Sequence, residues 1–245
     1  MKRFIFTLIC FATVSGAVSC LPEDSDGDSY QYTLTAFGSA SASTFTSDEG
    51  SSFTINADRT DGGWKNAGRI LAVYQMSKEK GVSDPTYTLL SYNLVKMQSV
   101  LVKSTTPESE YAQDPVCCLS ATLTGTGSSR YLNFELNYAT VANSSAIHTF
   151  YILLDDEKSD KQTVHIYLTQ DAGGETISEG GLDGSSVKIG EQYVSIPLSQ
   201  VIPEDAGSTF DLTIHYDWYV YNATTGSYSE ETSARSIYGS GIKTQ

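Results

Sequence analysis

The chain has 245 residues, with 15 Lys and Arg against 29 Asp and Glu, and its formal net charge is −14. Such an acidic chain disfavours nucleic acid and direct attraction to anionic lipid, because both partners require cationic patches. With 16 tyrosines, 20 glycines and no long stretch of strong helix formers, the composition predicts a mostly β protein.

The first 19 residues have the parts of an export signal. Lys2 and Arg3 form a charged start, an apolar run follows at 4–14, and residues 17–20 read AVSC. The apolar run is shorter than the roughly 20 residues that a membrane span requires. The AVSC sequence matches the lipobox of bacterial lipoproteins, in which the cysteine is lipidated. We predict that 1–19 is a lipoprotein signal peptide and that Cys20 anchors the mature chain to the membrane. The alternative is a secreted protein with a chance cysteine near its cleavage site.

Residues 20–29 predict a flexible acidic tether, because they contain four carboxylates and very little apolar surface. Acidic residues behind a lipidated cysteine also resemble the signal that sends some lipoproteins to the cell surface. We therefore predict a lipid-anchored outer-membrane protein on the cell surface. Asp24, Asp26 and Asp28 alternate as the first ligands of a calcium loop do, but Thr35 stands where the closing acid belongs. A solvated tether is the favoured interpretation.

The mature chain, with 226 residues and a net charge of −16 after the loss of Lys2 and Arg3, is predicted to contain two domains. Alternation at 30–37 and 52–55, with apolar stretches at 69–75 and 86–102, predicts a small OB-like barrel over 30–106. The last two stretches also fit a helical period, but their aromatic and β-branched content favours strands. The polar segment 105–110 (TTPESE) marks the division.

Residues 111–245 are predicted to form an antiparallel β-sandwich. Apolar and polar residues alternate in five segments, at 117–123, 132–138, 164–168, 194–198 and 210–220, and the nearly continuous apolar segment 148–154 is predicted to be a central strand. Alternation of this kind indicates strands with one dry face. The adjacent Cys117 and Cys118 would point to opposite faces of a strand, and whether they are oxidised is left open.

Three segments carry a family resemblance. They are residues 131–138 (YLNFELNY), 148–154 (HTFYILL) and 164–175 (VHIYLTQDAGGE). In this order, after a lipobox and a small barrel region, they resemble the NigD-like lipoproteins of Bacteroidota. The resemblance implies an N-terminal OB-like domain and a C-terminal β-sandwich. The family name derives from a bacteriocin locus, so an immunity role is implied as well, and no catalytic residues are carried over.

No catalytic constellation stands out in the sequence. His148, His165 and His215 lack the short spacing of metal ligands and are predicted to be ordinary strand histidines, so we expect no metal and no cofactor. A nucleophile elbow and a phosphate loop are also absent. The acidic run at 155–157 is better explained as a hairpin turn than as an acid/base pair. The protein is predicted not to be an enzyme.

The candidate binding residues are aromatic. Trp64 lies in the turn-like segment 61–66, and Tyr219 and Tyr221 precede the polar segment 222–226. Such rings can stack on a sugar or a peptide, or can complete a small core with a polar tip toward water. Two functions follow: a non-enzymatic envelope protein that binds a basic protein partner, in the manner of a bacteriocin-immunity protein, or a surface glycan-binding accessory lipoprotein of a nutrient uptake system.

Overall fold

The computed structural model of the protein describes residues 29–103, 114–125, 130–160, 162–175, 177, 187–202, 209–222 and 227–243. These residues form two β-sheets and two short 3-10 helices, Gly63–Asn66 and Leu198–Gln200, so the all-β prediction is confirmed. In this part of the chain, no helix has the length and apolar character needed to cross a membrane. The predicted signal peptide and the predicted lipidation site, Cys20, lie outside the described residues, as does the predicted tether apart from Ser29.

The strands are β1 (Tyr30–Ser41), β2 (Thr44–Ser47), β3 (Ser52–Thr54), β4 (Ala57–Asp58), β5 (Gly68–Lys78), β6 (Thr86–Met97), β7 (Leu101–Lys103), β8 (Cys118–Thr124), β9 (Tyr131–Val141), β10 (Thr149–Asp155), β11 (Thr163–Asp171), β12 (Val187–Pro197), β13 (Thr209–Asn222) and β14 (Ser227–Lys243). The first sheet has the order β3-β2-β1-β5-β6-β12-β9-β8, with β4 added beside β6, and the second has the order β14-β13-β11-β10-β7.

The N-terminal strands curl around a core but do not close into a barrel. β3 pairs with β2 at one end of this group of strands, and β4 pairs with β6 near the other end. Between them, the amide of Ile55 donates to the carbonyl of Ser43 and that of Asn56 to the carbonyl of Tyr87, both at 2.8 Å. Among the described residues, no ladder joins β3 to β4, so the predicted closed OB-like barrel is replaced by an open, curved sheet. The enclosed core contains Ala40, Phe45, Ile55, Trp64, Ile70, Ala72, Tyr74 and Leu89.

Gly38 allows β2 to pack closely onto β1. A Cβ atom at this position would lie 2.7 Å from Cζ of Phe45 and 2.3 Å from the carbonyl oxygen of Thr46. Backbone atoms cannot move away from such a contact at low cost. A glycine is therefore required where β2 pairs with β1.

The C-terminal half is a sandwich of two facing layers. β8, β9 and β12 of the first sheet contribute to the same core as β10, β11 and β13 of the second. The core residues from β9 are Leu132, Phe134 and Leu136, and those from β11 are Val164, Ile166 and Leu168. These positions are the apolar members of the alternating segments, which explains why alternation located these strands.

The antiparallel arrangement predicted for this half holds for four ladders, β8–β9, β9–β12, β10–β11 and β13–β14, but β11 and β13 are parallel. The ladders that join this half to the preceding strands, β10–β7 and β12–β6, are also parallel. The chain leaves the second sheet after β11, forms β12 in the first sheet, and returns to place β13 beside β11. Side-chain alternation fixes which face of a strand is buried and carries no information on the direction of its neighbour.

One sheet extends across both halves of the molecule, because β6 pairs with β5 along most of its length and then with β12. The predicted single stretch 86–102 is two strands, with β6 in the first sheet and β7 in the second. Between them, the amide of Gln98 donates to the carbonyl of Ser195 at 3.0 Å. The proposed boundary segment, 105–110, lies outside the described residues, and the division into two domains stays a prediction.

Candidate functional site

A groove opens where β6 and β12 separate. The two strands pair only from Val95 with Tyr193 to Met97 with Ser195, and before this point β6 follows β5 while β12 follows β9. The space between them is a groove of about 580 Å³. We call it the β6–β12 groove, and its lining residues are Tyr92, Asn93, Leu94, Val95, Lys96, Glu191, Gln192 and Tyr193.

Tyr193 and Glu191 form the polar wall of the groove. They are two residues apart on β12 and therefore point to the same face of the sheet. The phenol of Tyr193 donates to Oε1 of Glu191 at 2.7 Å, and its side chain is buried. Burial and this hydrogen bond raise the pKa of Tyr193 well above its usual range. The phenol is therefore a permanent donor that fixes the orientation of the Glu191 carboxylate.

Glu135 adds a second carboxylate to this face. It lies directly opposite Tyr193 in the β9–β12 ladder, so it is a diagonal neighbour of Glu191. Burial and the negative charge of Glu191 raise the pKa of Glu135. Beside them, Nε2 of Gln192 is buried and makes no hydrogen bond within the described part of the chain. Gln192 pairs with the core residue Leu136 and points to the opposite face, so Glu191 is the acceptor that lines the groove and Glu135 stands diagonally behind it on the same face.

The rim of the groove is held by Tyr92. Its hydroxyl donates to Oδ1 of Asp61 at 2.8 Å, and the same oxygen accepts the backbone amide of Gly63 at 3.0 Å. These two bonds lower the pKa of Asp61, and the bond to Asp61 raises the pKa of Tyr92. The loop before the first 3-10 helix is thus tied to the β6 side of the groove.

Trp64, one of the three predicted binding residues, is in the core. Its ring is 1% exposed, and its indole N–H donates to Oδ2 of Asp58 at 2.6 Å. The ring has no free face on which a sugar could stack, and its burial agrees with the other interpretation given above, a ring that completes a small core. Tyr219 is half-buried on β13, in the other sheet, and the side chain of Tyr221 lies outside the described residues. The binding role of these two tyrosines stays a prediction.

Two of the three histidines meet on the outer face of the second sheet. Nδ1 of His165 lies 2.9 Å from Nε2 of His215, and the ring centroids are 5.2 Å apart. The centroid separation exceeds the nitrogen separation by about two ring radii, so one nitrogen donates head-on to the other. Burial and the charge of His165 lower the pKa of His215. Tyr167 stacks on the His215 ring at 4.5 Å.

The third histidine belongs to a separate buried cluster, just before β10. Nε2 of His148 lies 3.2 Å from Oε2 of Glu175, and Nδ1 lies 2.9 Å from Nε2 of Gln170. Burial acts to raise the pKa of Glu175, but hydrogen bonds from Ser144, Val141 and other groups outweigh it, and the pKa is lowered. Within the described ranges, no three His, Cys, Asp or Glu side chains converge as metal ligands would.

A buried polar network, which the sequence analysis did not predict, supports the strands that carry the groove. The guanidinium of Arg69 donates to both carboxylate oxygens of Asp48 at 2.8 and 2.7 Å. It also donates to Ser195 Oγ at 2.8 Å and to Asn133 Oδ1 at 2.9 Å. Asn133 and Ser195 lie two residues from Glu135 and Tyr193 on the same faces of β9 and β12. Arg69 thereby joins the N-terminal strands to the sheet face of β9 and β12 that carries Glu135 and Tyr193.

The only sequence signals for this network are polar residues in otherwise apolar settings. Arg69 opens the apolar stretch RILAV, and Asn133 stands between two core residues. Both side chains are almost completely buried, at 4% and 1% exposure. Buried polar groups require partners, but a sequence alone does not identify which partners they have.

No protein-family model matches the chain, and no curated protein matches it. Several solved structures do match the chain. A NigD-like immunity protein from Bacteroides caccae ATCC 43185 matches with a TM-score of 0.54 and 23% identity, over 82% of this chain and 91% of that one. A candidate toxin-related protein from Parabacteroides distasonis ATCC 8503 matches with a TM-score of 0.53 and 15% identity, over 84% and 93%. A candidate lipoprotein from Bacteroides fragilis NCTC 9343 matches with a TM-score of 0.51 and 15% identity, over 87% and 99%. The predicted resemblance to NigD-like proteins is confirmed at the level of the fold.

Proposed function

We propose that this protein is a non-enzymatic, lipid-anchored envelope protein that binds a basic segment of a protein partner in the β6–β12 groove. The observation that carries the proposal is the placement of two carboxylates on one sheet face: Glu191 lines the groove, and Glu135 is its diagonal neighbour in the β9–β12 ladder. Two carboxylates on one sheet face repel each other, and a lysine or arginine side chain placed between them relieves that repulsion. The bound cation also replaces water at groups that are already partly desolvated.

The acidic composition and the fold each support the proposed binding of a basic protein partner. An acidic protein attracts basic partners over a distance, and such complementarity contributes to association rate and specificity. One protein with this fold is named an immunity protein and another a candidate lipoprotein. These names support a bacteriocin-immunity-like binding module in the envelope. The glycan-binding alternative now depends on Tyr219 and Tyr221, because Trp64 is buried.

The proposed location depends on Cys20. We place the mature protein in the outer membrane, with its lipid on Cys20 and its body on the cell surface. A Cys20→Ser chain should lose the acyl mass at its N-terminus and leave the membrane fraction. Proximity labelling on intact cells should recover surface proteins, and recovery of periplasmic proteins alone would refute the surface assignment.

The groove is tested by removing its charges. In a Glu135→Gln/Glu191→Gln double variant, binding of a lysine- and arginine-containing peptide library should fall by at least about tenfold, which corresponds to the loss of one charge-assisted contact. The matched control is Glu79→Gln/Glu157→Gln, which removes the same net charge from exposed positions. Equal losses in the two variants would show that only overall charge matters, and no loss in the groove variant would exclude the groove.

A further inference from the structure

β1 has a free backbone edge along its first half. It pairs with β5 from Tyr30 to Ala40, but with β2 only from Gly38 to Ser41. The carbonyl of Phe37 accepts the amide of Asp48 at 2.9 Å, so the backbone groups of Phe37 face the β2 side. In a strand every second residue faces the same side, which places the N–H and C=O groups of Gln31, Thr33 and Thr35 on this edge. Among the described residues, none pairs with them.

The side chains beside this edge form an apolar surface. Tyr32 and Leu34 are each 37% exposed, although they lie on the same face as Ala40, which is in the core. Leu34 stands opposite the buried Tyr74 of β5, so the exposed surface continues the N-terminal core outward. Exposed edges are usually protected by a charged residue, a proline or a bulge. Residues 30–37 (YQYTLTAF) contain no charge and no proline, and the β1–β5 register is regular.

We propose that this edge receives an extended segment of a partner protein as an added antiparallel or parallel strand, in line with β2. Only another extended backbone presents acceptors and donors at the spacing of Gln31, Thr33 and Thr35. Alternate apolar side chains of that segment would cover Tyr32 and Leu34. This surface is distinct from the β6–β12 groove, because β5 lies between β1 and β6 in the sheet.

The charge at the edge favours a partner segment with a basic residue over a second copy of this chain. Glu49 is exposed just beyond the end of β2, and its charge reaches the phenol of Tyr74, whose pKa is raised to about 12, chiefly by burial. A strand that continues the line of β2 would pass this carboxylate. Two copies of the chain, each with a net charge of −14, repel each other.

Amide hydrogen exchange of the full chain, resolved by residue, tests the proposal. In the free protein, the amides of Gln31 and Thr33 should exchange about 100-fold faster than those of Tyr32 and Leu34, which bond to β5. The probe is a synthetic peptide of alternating valine and threonine with a lysine at each end. Saturating peptide should slow the fast amides at least about tenfold and leave the slow ones unchanged.

A proline variant tests the edge separately. Thr33→Pro removes an N–H that does not bond to β5, so the fold should be retained while peptide affinity falls about tenfold or more. Thr33→Ala keeps that N–H and should bind as the unmodified chain does.

Equal binding by the two variants would overturn the proposal, as would slow exchange of Gln31 and Thr33 in dilute free protein. If their exchange slows with protein concentration, the occupant is a second copy and the assignment to a partner is wrong. Should Thr33→Pro fail to fold, the exchange pattern decides alone. Both results are independent of the Glu135 and Glu191 variants.

Discussion

Replacing Arg69 with alanine should destabilise the protein more than any other single truncation of a charged side chain in the N-terminal strands. Arg69 is 4% exposed and makes two bonds to the buried Asp48, one to Ser195 and one to Asn133. Its guanidinium carbon also lies 3.9 Å from the centroid of the Tyr131 ring. Truncation leaves the carboxylate of Asp48 buried without its counter-ion.

The expected cost follows from these contacts. Removal of one partner from a buried ion pair costs about 3–5 kcal/mol, chiefly because the remaining charge is desolvated. Loss of the cation–π contact with Tyr131 adds about 1 kcal/mol, and partial entry of water into the vacated space offsets some of the total. We therefore expect the free energy of unfolding to fall by about 4 kcal/mol, and the melting temperature by about 10 °C in a domain of this size.

Urea unfolding followed by tryptophan fluorescence measures this loss. The control is Arg59→Ala, an exposed arginine whose removal should change the free energy of unfolding by no more than about 0.5 kcal/mol. In the Asp48→Ala/Arg69→Ala double variant, the loss should be about 2 kcal/mol smaller than the sum of the single losses. A cost for Arg69→Ala as small as that of Arg59→Ala, or strictly additive losses, would refute the assignment of a coupled buried pair.

Three further changes have defined outcomes. Glu135→Gln should raise the free energy of unfolding by about 0.5 kcal/mol at neutral pH, because repulsion from Glu191 is removed. The raised pKa of Glu135 makes this gain vanish as the pH falls below the unfolded value, and a pH-independent gain would contradict the cause. Glu175→Ala should cost about 3 kcal/mol in denaturant unfolding at neutral pH, since His148 loses its buried partner. The lowered pKa of Glu175 makes this difference shrink in acid as the wild-type carboxylate is protonated, so a constant difference would argue against an ionised Glu175. Gly38→Ala should cost about 2 kcal/mol through contact with Phe45, and an unchanged melting curve would show that β2 does not pack as described.

The sequence located most strands because their buried faces alternate. The segments around Phe134 and Ile166 each place every second residue in one core, and that pattern is visible without coordinates. β14 was not predicted, since SYSEETSARSIYGSGIK has no regular apolar positions. It pairs along its backbone with β13, the strand that directly precedes it, and this pairing does not require a regular apolar pattern.

The candidate site was less accessible to sequence analysis for a related reason. Glu135 and Glu191 are unremarkable polar members of two alternating strands, and only the β9–β12 register makes them neighbours. Trp64 was noticed in the sequence, but its position relative to the core was not predictable. The glycines and aspartate before it indicate a turn, and a turn does not determine whether the ring points inward. The 3-10 helix and the bond to Asp58 place it in the core.

The short parallel join between β6 and β12 has a consequence for how the protein folds. Val95 and Tyr193 are partners in space but about 100 residues apart in the chain, a separation that slows folding in proteins of high contact order. A chain synthesised from its N-terminus presents β6 long before β12 is available. Until then the end of β6 is an unprotected strand edge that is open to mispairing. We therefore expect one slow phase in refolding, in which both halves become protected together, since the first sheet is completed only when this join forms.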